Sequence, residues 1–214
     1  MPLVLHSYWR ATAPYRVRIG LNLKGLAYDY APVHLVKGGQ HSDEYRALNA
    51  QELVPSLVTE DGHTLTQSLA ILEWLEEVHP VPPLLPADAY DRAVVRAMAG
   101  IVACDIHPLN NLRIQQQLTS LGVDDAGREA WSQRWINDGF RALEPMVARH
   151  GAGFAFGATP TLADCCLIPQ VYSAHRYGVA MDPYPAIAAV AARAAEHPAF
   201  AAAHPDRQPD ATPA

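Results

Sequence analysis

Gln51-Glu-Leu-Val-Pro-Ser-Leu-Val-Thr-Glu-Asp-Gly-His-Thr-Leu-Thr-Gln-Ser68 is the stretch whose reading decides the fold. Pro55 has no N–H to give to a ladder, so it belongs at the first residue of a strand or at a bend. Asp61-Gly62 is a two-residue hairpin signal between Ser56-Leu-Val-Thr59 and His63-Thr-Leu-Thr66. Gln67-Ser68 then opens Leu69-Ala-Ile-Leu-Glu-Trp-Leu-Glu-Glu77, a helical run, with Ser68 expected to cap the free backbone N–H groups. Such a helix start also favours a carboxylate from outside. A strand beginning at Val54-Pro55 places the Val54 backbone beside that helix start. The pair can grip an extended peptide, with ladder bonds to Val54 and a carboxylate at Gln67-Ser68. The same residues also suit a plain hairpin followed by a capped helix.

Working towards the N-terminus, Leu3–Tyr8 reads as a strand, Trp9–Pro14 as a loop, and Tyr15–Lys24 as a helix stopped by Gly25. Val17, Leu21 and the Lys24 stem share one face of that helix, widened by Ile19 and Leu23. Tyr28–Leu35 is a second strand, moved towards an edge by Pro32. Lys37–Gln40 is a loop and Glu44–Leu48 a helical turn. The order βαβ then ββα resembles a thioredoxin fold.

Working towards the C-terminus, His79-Pro-Val-Pro-Pro-Leu-Leu-Pro86 is Pro-dense and reads as a semi-rigid linker. Beyond it strand signals stop. Asp88 to about Ser120 is helical, as is Ala126 to Arg149, and Phe154–Gly157 is a bend. Thr161-Leu-Ala-Asp164 is a capping box opening Cys165–Val171, where Pro169 either kinks the helix or lies near its start. Tyr184–Ala195 is a further helix, and His204–Ala214 reads as a polar tail. The expected architecture is an α/β thioredoxin-like domain over residues 1–82, a linker over 79–87, and an all-α domain over 88–214.

Half of the 214 residues are hydrophobic and 18% are charged, as in a folded domain rather than a disordered chain. A net charge of −6 without a basic stripe argues against a nucleic-acid partner. No apolar run reaches membrane-spanning length, and Met1–Tyr8 carries no basic region or cleavage site, so a cytoplasmic location is expected. Cys104, Cys165 and Cys166 show no CxxC spacing and read as reduced core cysteines. The histidines have no metal-ligand spacing, and no phosphate loop or dinucleotide fingerprint is present.

Val54-Pro55 followed by Gln67-Ser68 resembles the glutathione-binding core of the glutathione transferases. The resemblance extends over nearly the whole chain and narrows to the zeta class, which includes maleylacetoacetate and maleylpyruvate isomerases. It is carried by Tyr15-Arg-Val-Arg-Ile-Gly-Leu-Asn-Leu-Lys-Gly25, Gln67-Ser-Leu-Ala-Ile-Leu-Glu-Trp-Leu-Glu-Glu77, Thr161-Leu-Ala-Asp-Cys-Cys-Leu-Ile-Pro-Gln-Val171 and Asp182-Pro-Tyr-Pro185. Cys104-Asp-Ile-His-Pro-Leu-Asn-Asn111 is similar to the bacterial maleylpyruvate isomerases in particular. The resemblance implies a cis Pro55, glutathione as cofactor, and a homodimer. Val54 would bond the cysteine backbone of glutathione, and Gln67-Ser68 would hold its γ-glutamyl carboxylate. His107, one helical turn from Asn111, would donate to the Cys-Gly carboxylate across from Gln40.

A thiol attacks only as thiolate, so a site that uses glutathione must stabilise the sulfur anion. Zeta proteins usually carry a Ser-Ser-Cys-like motif for this, and here Ala11-Thr12-Ala13 stands in its place. Either Thr12 becomes the donor, or backbone N–H groups and Arg10 carry the charge; a helix cap is the other role open to Thr12. Arg10, Arg113 and Arg176 suit a dianionic dicarboxylate, because guanidinium groups bind carboxylates bidentately. An Arg at a helix C-terminus is also often only a partner of the helix dipole. The implied reaction is glutathione-dependent cis–trans isomerisation of a maleyl keto acid, in the breakdown of aromatic compounds. The alternatives are a general transferase or dehalogenase of small electrophiles, and a non-catalytic binding protein on the same fold.

Overall fold

The computed structural model describes residues 1–212, so Pro213 and Ala214 of the expected tail lie outside the described residues. The chain forms two units, one of Met1–Leu84 together with the chain end from His197, the other of Leu85–Glu196.

The first unit is a thioredoxin-like α/β layer. Strands β1 (Leu3–Ser7), β2 (Tyr28–Pro32), β3 (Ser56–Val58) and β4 (Thr64–Thr66) form one sheet in the order β2-β1-β3-β4. β1 pairs parallel with β2 and antiparallel with β3, and β3 pairs antiparallel with β4. Helices α1 (Thr12–Leu23), α2 (Asp43–Leu48) and α3 (Ser68–Val78) complete the βαβ…ββα order. β2 is an edge strand and ends at Pro32 rather than Leu35, because its ladder with β1 stops at Ser7.

α1 starts three residues earlier than expected. Pro14 fits its first turn, where the backbone N–H groups have no intrahelical acceptor. Leu5, Val17, Ile19, Leu21, Leu57, Ile71, Leu72 and Leu75 are fully buried and make this unit's core. Gly20 lets α1 and α3 approach closely, since a Cβ there would lie 2.3 Å from Leu72 Cδ2. The β3–β4 turn is a three-residue loop, not the two-residue Asp61-Gly62 turn expected. Thr59 N–H bonds His63 O at 2.8 Å, and Gly62 takes the left-handed φ of 87° that closes a type I turn plus bulge.

The Pro-rich segment is tied down at its start by the first unit. Lys24 Nζ donates to Glu76 Oε2 at 2.6 Å and to Pro82 O at 2.7 Å, and Leu84 N–H donates to the same Glu76 oxygen at 2.8 Å. A buried ion pair with its remaining sites filled by backbone groups fixes the chain where a semi-rigid linker was expected.

The chain end also departs from expectation. Where the all-α domain was expected to run over 88–214, the chain from His197 returns to the first unit, and helix α9 (Pro198–Ala203) packs on α1 with Ala199, Phe200 and Ala203 buried. Asn22 Nδ2 donates to Ala199 O and Arg18 Nε to Ala203 O, each at 3.0 Å. These bonds join residues 177 and 185 positions apart, a separation that no local pattern can report.

The second unit is all helical: α4 (Ala89–Gly100), α5 (Leu112–Ser120), α6 (Asp125–His150), α7 (Leu162–Arg176) and α8 (Pro185–Glu196). The stretch expected to be helical from Asp88 to about Ser120 is not one continuous α-helix. A π-helical turn over Ile101–Ile106 and a 3-10 turn over His107–Asn110 intervene, because Pro108 cannot donate to a continuing helix. Gly139 of α6 admits Ile106, whose Cδ1 would lie 2.2 Å from a Cβ there. Cys165 and Cys166 are core residues, whereas Cys104 is exposed and corrects its expected place in the core.

The capping box of α7 is present. Asp164 accepts from Thr161 N–H at 2.8 Å, Thr161 Oγ1 at 2.9 Å and Ala155 N–H at 2.7 Å. Asp164→Ala should therefore lower the melting temperature, by a loss of about 2 kcal/mol or more, while activity per folded molecule is kept. Burial pushes the Asp164 carboxyl up to about 6 from 3.8, against the hydrogen bonds that pull it down. A folded value above the unfolded one gives a contribution complete at low pH and lost as pH rises through about 6. Thermal melts should show a larger gap between wild type and Asp164→Ala near about pH 4 than near about pH 8.

Candidate functional site

Strand directions bring several segments to one end of the first unit's sheet. His6 pairs with Ser56, and Ser56 with Thr66. The end of β1, the start of β3 and the end of β4 therefore lie side by side. The segments that leave there are the Trp9–Ala11 loop into α1, Val54-Pro55, and Gln67-Ser68 into α3. β2 ends beside Ser7 at the same edge and leads on to Gln40.

The Val54-Pro55 peptide is cis. Its approach is braced at Leu53, whose carbonyl accepts from Tyr45 Oη at 2.7 Å and Asn49 Nδ2 at 2.8 Å. Gln67 has φ 69°, a left-handed conformation uncommon outside glycine, and its Nε2 donates to Gln51 Oε1 at 2.7 Å. The N-cap of α3 is Gln67, and no side chain caps this helix. Ser68, expected as the cap, is instead the first helical residue, and its Oγ accepts from Arg16 Nη1 at 3.2 Å. The free N–H groups of α3 thus keep their attraction for an anion, with the buried Arg16 guanidinium adding to it.

Gln40 is buried and has a defined polarity. His41 Nδ1 lies 2.7 Å from Glu52 Oε2, and in the neutral tautomer that donates from Nδ1 to this carboxylate, His41 Nε2 is an acceptor. Gln40 Nε2 donates to that nitrogen at 3.0 Å, so Oε1 is a buried acceptor with no hydrogen-bond partner among the described residues. A peptide N–H would satisfy it. Glu52 is held in turn by Arg46, which keeps its carboxyl below the usual value, with His41 adding to the effect.

The N-cap of α1 is Ala11, which makes no side-chain cap bond, so Thr12 is the first helical residue and not a cap. Its side chain is buried at the helix start. Arg10 is half-buried, its guanidinium carbon 6.0 Å from the Tyr8 ring centre and 5.5 Å from that of Trp9.

In the second unit, His107 opens the 3-10 turn, while Asn111 is extended and caps α5 through a 3.2 Å bond from Arg113 N–H to its Oδ1. The two do not share one helical face as expected, because the helix stops between them. Arg113 is exposed in the first turn of α5. Arg176 is exposed at the last residue of α7, its guanidinium carbon 5.9 Å from both the Tyr172 and Tyr177 ring centres. None of the ion pairs among the described residues includes Arg10, Arg113 or Arg176.

Sequence reasoning missed Arg16 and Arg18, which are 2% and 0% exposed. A signal was available: apolar Val17, Ile19 and Leu21 alternate with them, and a helix apolar on several sides is buried all round. Asp210, which accepts from Trp9 N–H at 3.1 Å, was missed within the expected tail.

Comparison with known proteins bears on the same regions. The glutathione S-transferase N-terminal domain family matches residues 13–78, and the glutathione S-transferase C-terminal domain family matches 129–193. A maleylpyruvate isomerase from Ralstonia sp is 51% identical over 96% of this chain and 98% of its own. A holo structure of maleyl pyruvate isomerase, described as a bacterial zeta-class glutathione S-transferase, superposes with TM-score 0.95 at 49% identity, covering 98% of this chain and 100% of that one. The maleylacetoacetate isomerase of Anaeromyxobacter dehalogenans, solved with dicarboxyethyl glutathione and citrate in its active site, gives TM-score 0.89 at 44% identity over 99% of this chain and 98% of its own. With the cis Val54-Pro55 bond, the uncapped start of α3 and the helical second unit, these likenesses place the chain in the zeta class of the glutathione S-transferase family.

Proposed function

We propose that this chain is a glutathione-dependent cis–trans isomerase of a maleyl keto acid, maleylpyruvate or maleylacetoacetate. The observation that carries this reading is the likeness over nearly the whole chain to maleylpyruvate and maleylacetoacetate isomerases, 51% identical to the one and 44% to the other; Arg10, Arg113 and Arg176, which enter none of the ion pairs among the described residues, are each a candidate carboxylate binder.

The residues present fit glutathione. An extended peptide can bond the Val54 backbone, and a carboxylate suits the uncapped α3 start at Gln67-Ser68. Gln40 Oε1 is a buried acceptor suited to a peptide N–H. His107 can donate to a second carboxylate, and Asn111 keeps its Nδ2 as a donor beyond its capping bond. When bound, glutathione supplies the thiolate that adds to the cis double bond and is released after rotation. The Thr12 hydroxyl and the first N–H groups of α1, which have no intrahelical acceptor, stabilise negative sulfur, with Arg10 beside them. The arginines orient the substrate carboxylates and stabilise enolate-like charge. The protein acts in the cytoplasm as a homodimer. Among the described residues no helix is long and apolar enough to cross a membrane.

The test is an assay of purified protein on maleylpyruvate and maleylacetoacetate, with and without glutathione. A protein inactive on both, yet active on a neutral aryl halide, would be a general transferase. For the cofactor site, Ser68→Ala removes a hydroxyl from a charged group and should weaken glutathione binding by about 1.5–3 kcal/mol. Unchanged affinity by calorimetry removes Ser68 from the site.

A further inference from the structure

β1 ends at Ser7 and α1 begins at Thr12, so the backbone between them sets where the start of α1 points. No side chain caps that start. Ala11 N–H bonds Tyr8 O at 3.0 Å and Tyr15 N–H bonds Ala11 O at 3.2 Å, so a shift of the link passes into the helix.

Both backbone groups of Trp9, in the middle of this link, are held by ionisable side chains of the same unit. Its N–H donates to Asp210 Oδ2 at 3.1 Å, and its carbonyl accepts from Arg18 Nη2 at 2.9 Å. Asp210 Oδ1 accepts from the Tyr30 hydroxyl at 2.6 Å. Burial and then the Asp210 carboxylate push the Tyr30 phenol up, so it remains a donor across the working range. Hydrogen bonds to an ionised group are shorter and stronger than neutral ones, so Trp9 is a fixed point of the loop. Asp210 reaches it from 201 residues away.

We propose that Asp210 is a positioning residue for the thiol-activating start of α1: it fixes Trp9 and, through Trp9, the Thr12 hydroxyl and the first free N–H groups of the helix. This rests on the reading that the start of α1 stabilises the glutathione thiolate. The sign of the effect separates positioning from simple charge. A carboxylate acting only as a nearby anion disfavours a thiolate, so its removal would ease ionisation of the bound thiol. A carboxylate acting through geometry favours the thiolate, and its removal makes ionisation harder.

The experiment uses the full chain, wild type and Asp210→Ala. The thiolate absorbance of bound glutathione is titrated against pH, and amide hydrogen exchange over residues 9–12 is measured without glutathione. In Asp210→Ala the bound thiol should titrate higher by at least about one unit, with about tenfold less thiolate below that value. Exchange over residues 9–12 should rise, while the glutathione Kd changes less than about threefold, because Val54, Gln67 and Ser68 are untouched. Asp210→Asn keeps one acceptor oxygen without the charge and should shift the thiol upward by less; it carries the test if the Ala variant does not fold. An unchanged or lowered thiol titration together with wild-type exchange overturns the proposal. Should wild type show no thiolate on adding glutathione, the α1 reading fails by itself. The exchange data then decide, and protection equal to wild type in the variants overturns the positioning role.

Discussion

Arg176→Ala is expected to lower kcat/KM for maleylpyruvate at least about tenfold while glutathione affinity barely changes. The guanidinium stands at the last residue of α7, exposed, its carbon 5.9 Å from the centres of the Tyr172 and Tyr177 rings. Two rings at 5.9 Å limit its rotamers without neutralising its charge, which leaves the planar fork available to a carboxylate. Removing one partner of a desolvated, hydrogen-bonded charge pair costs roughly 2–5 kcal/mol, and about 1.4 kcal/mol is one decade in rate. Under the proposed reading glutathione contacts Val54, Gln67 and Ser68 and not Arg176, so its calorimetric Kd should stay near wild type. Arg176→Lys should recover part of the loss, since an ammonium provides charge but no bidentate fork. If Arg176 were only a dipole partner of α7, the Ala variant would lose a few tenths of a kcal/mol of stability and no catalytic efficiency. Steady-state kinetics together with a thermal melt separate the two roles.

What the sequence made legible depended on whether the cause was local. Pro55, Gly25 and the apolar period of residues 69–77 act on their own neighbourhood, and β3, β4 and α3 stand where those signals put them. Gly62 marked a turn correctly, but a glycine signal does not state whether one or two residues flank it, and the loop has three. The His107–Asn111 spacing carried meaning only in an unbroken helix, and Pro108 breaks it. The chain end was least legible. An Ala-rich run between Pro198 and Ala203 has weak periodicity, and its stability comes from α1 far upstream rather than from itself. Arg10, Thr12, Arg113 and Arg176 were readable as candidates by residue type. Their surroundings (two rings, an uncapped helix start) needed the structure.

Arg18→Ala should destabilise the protein by about 3–5 kcal/mol, a fall of about 10 °C in melting temperature for a chain of this size. Arg18 is fully buried, and its fork is filled by acceptors from separate parts of the chain. Nε donates to Ala203 O at 3.0 Å in α9, Nη1 to Ser7 Oγ at 3.1 Å at the end of β1, and Nη2 to Trp9 O at 2.9 Å in the loop. The Tyr15 ring centre lies 5.1 Å from its guanidinium carbon. Burial lowers the Arg18 pKa from its ordinary value, and the Asp210 carboxylate, which Arg18 does not bond directly, opposes that shift. Truncation leaves buried acceptors unsatisfied at about 1–3 kcal/mol each and opens a cavity, offset in part by no longer burying a cation. Arg18→Met refills the volume but not the bonds, so it should recover the cavity term alone. Arg18→Lys offers a single ammonium to acceptors spread over three elements and should also fall short. Limited proteolysis should cut after His197 in these variants before the rest of the protein unfolds, because the α9 carbonyl loses its tie to α1. A Met variant as stable as wild type, with a protected chain end, would mean that packing of the stem and not the hydrogen-bonded fork joins the chain end to the sheet.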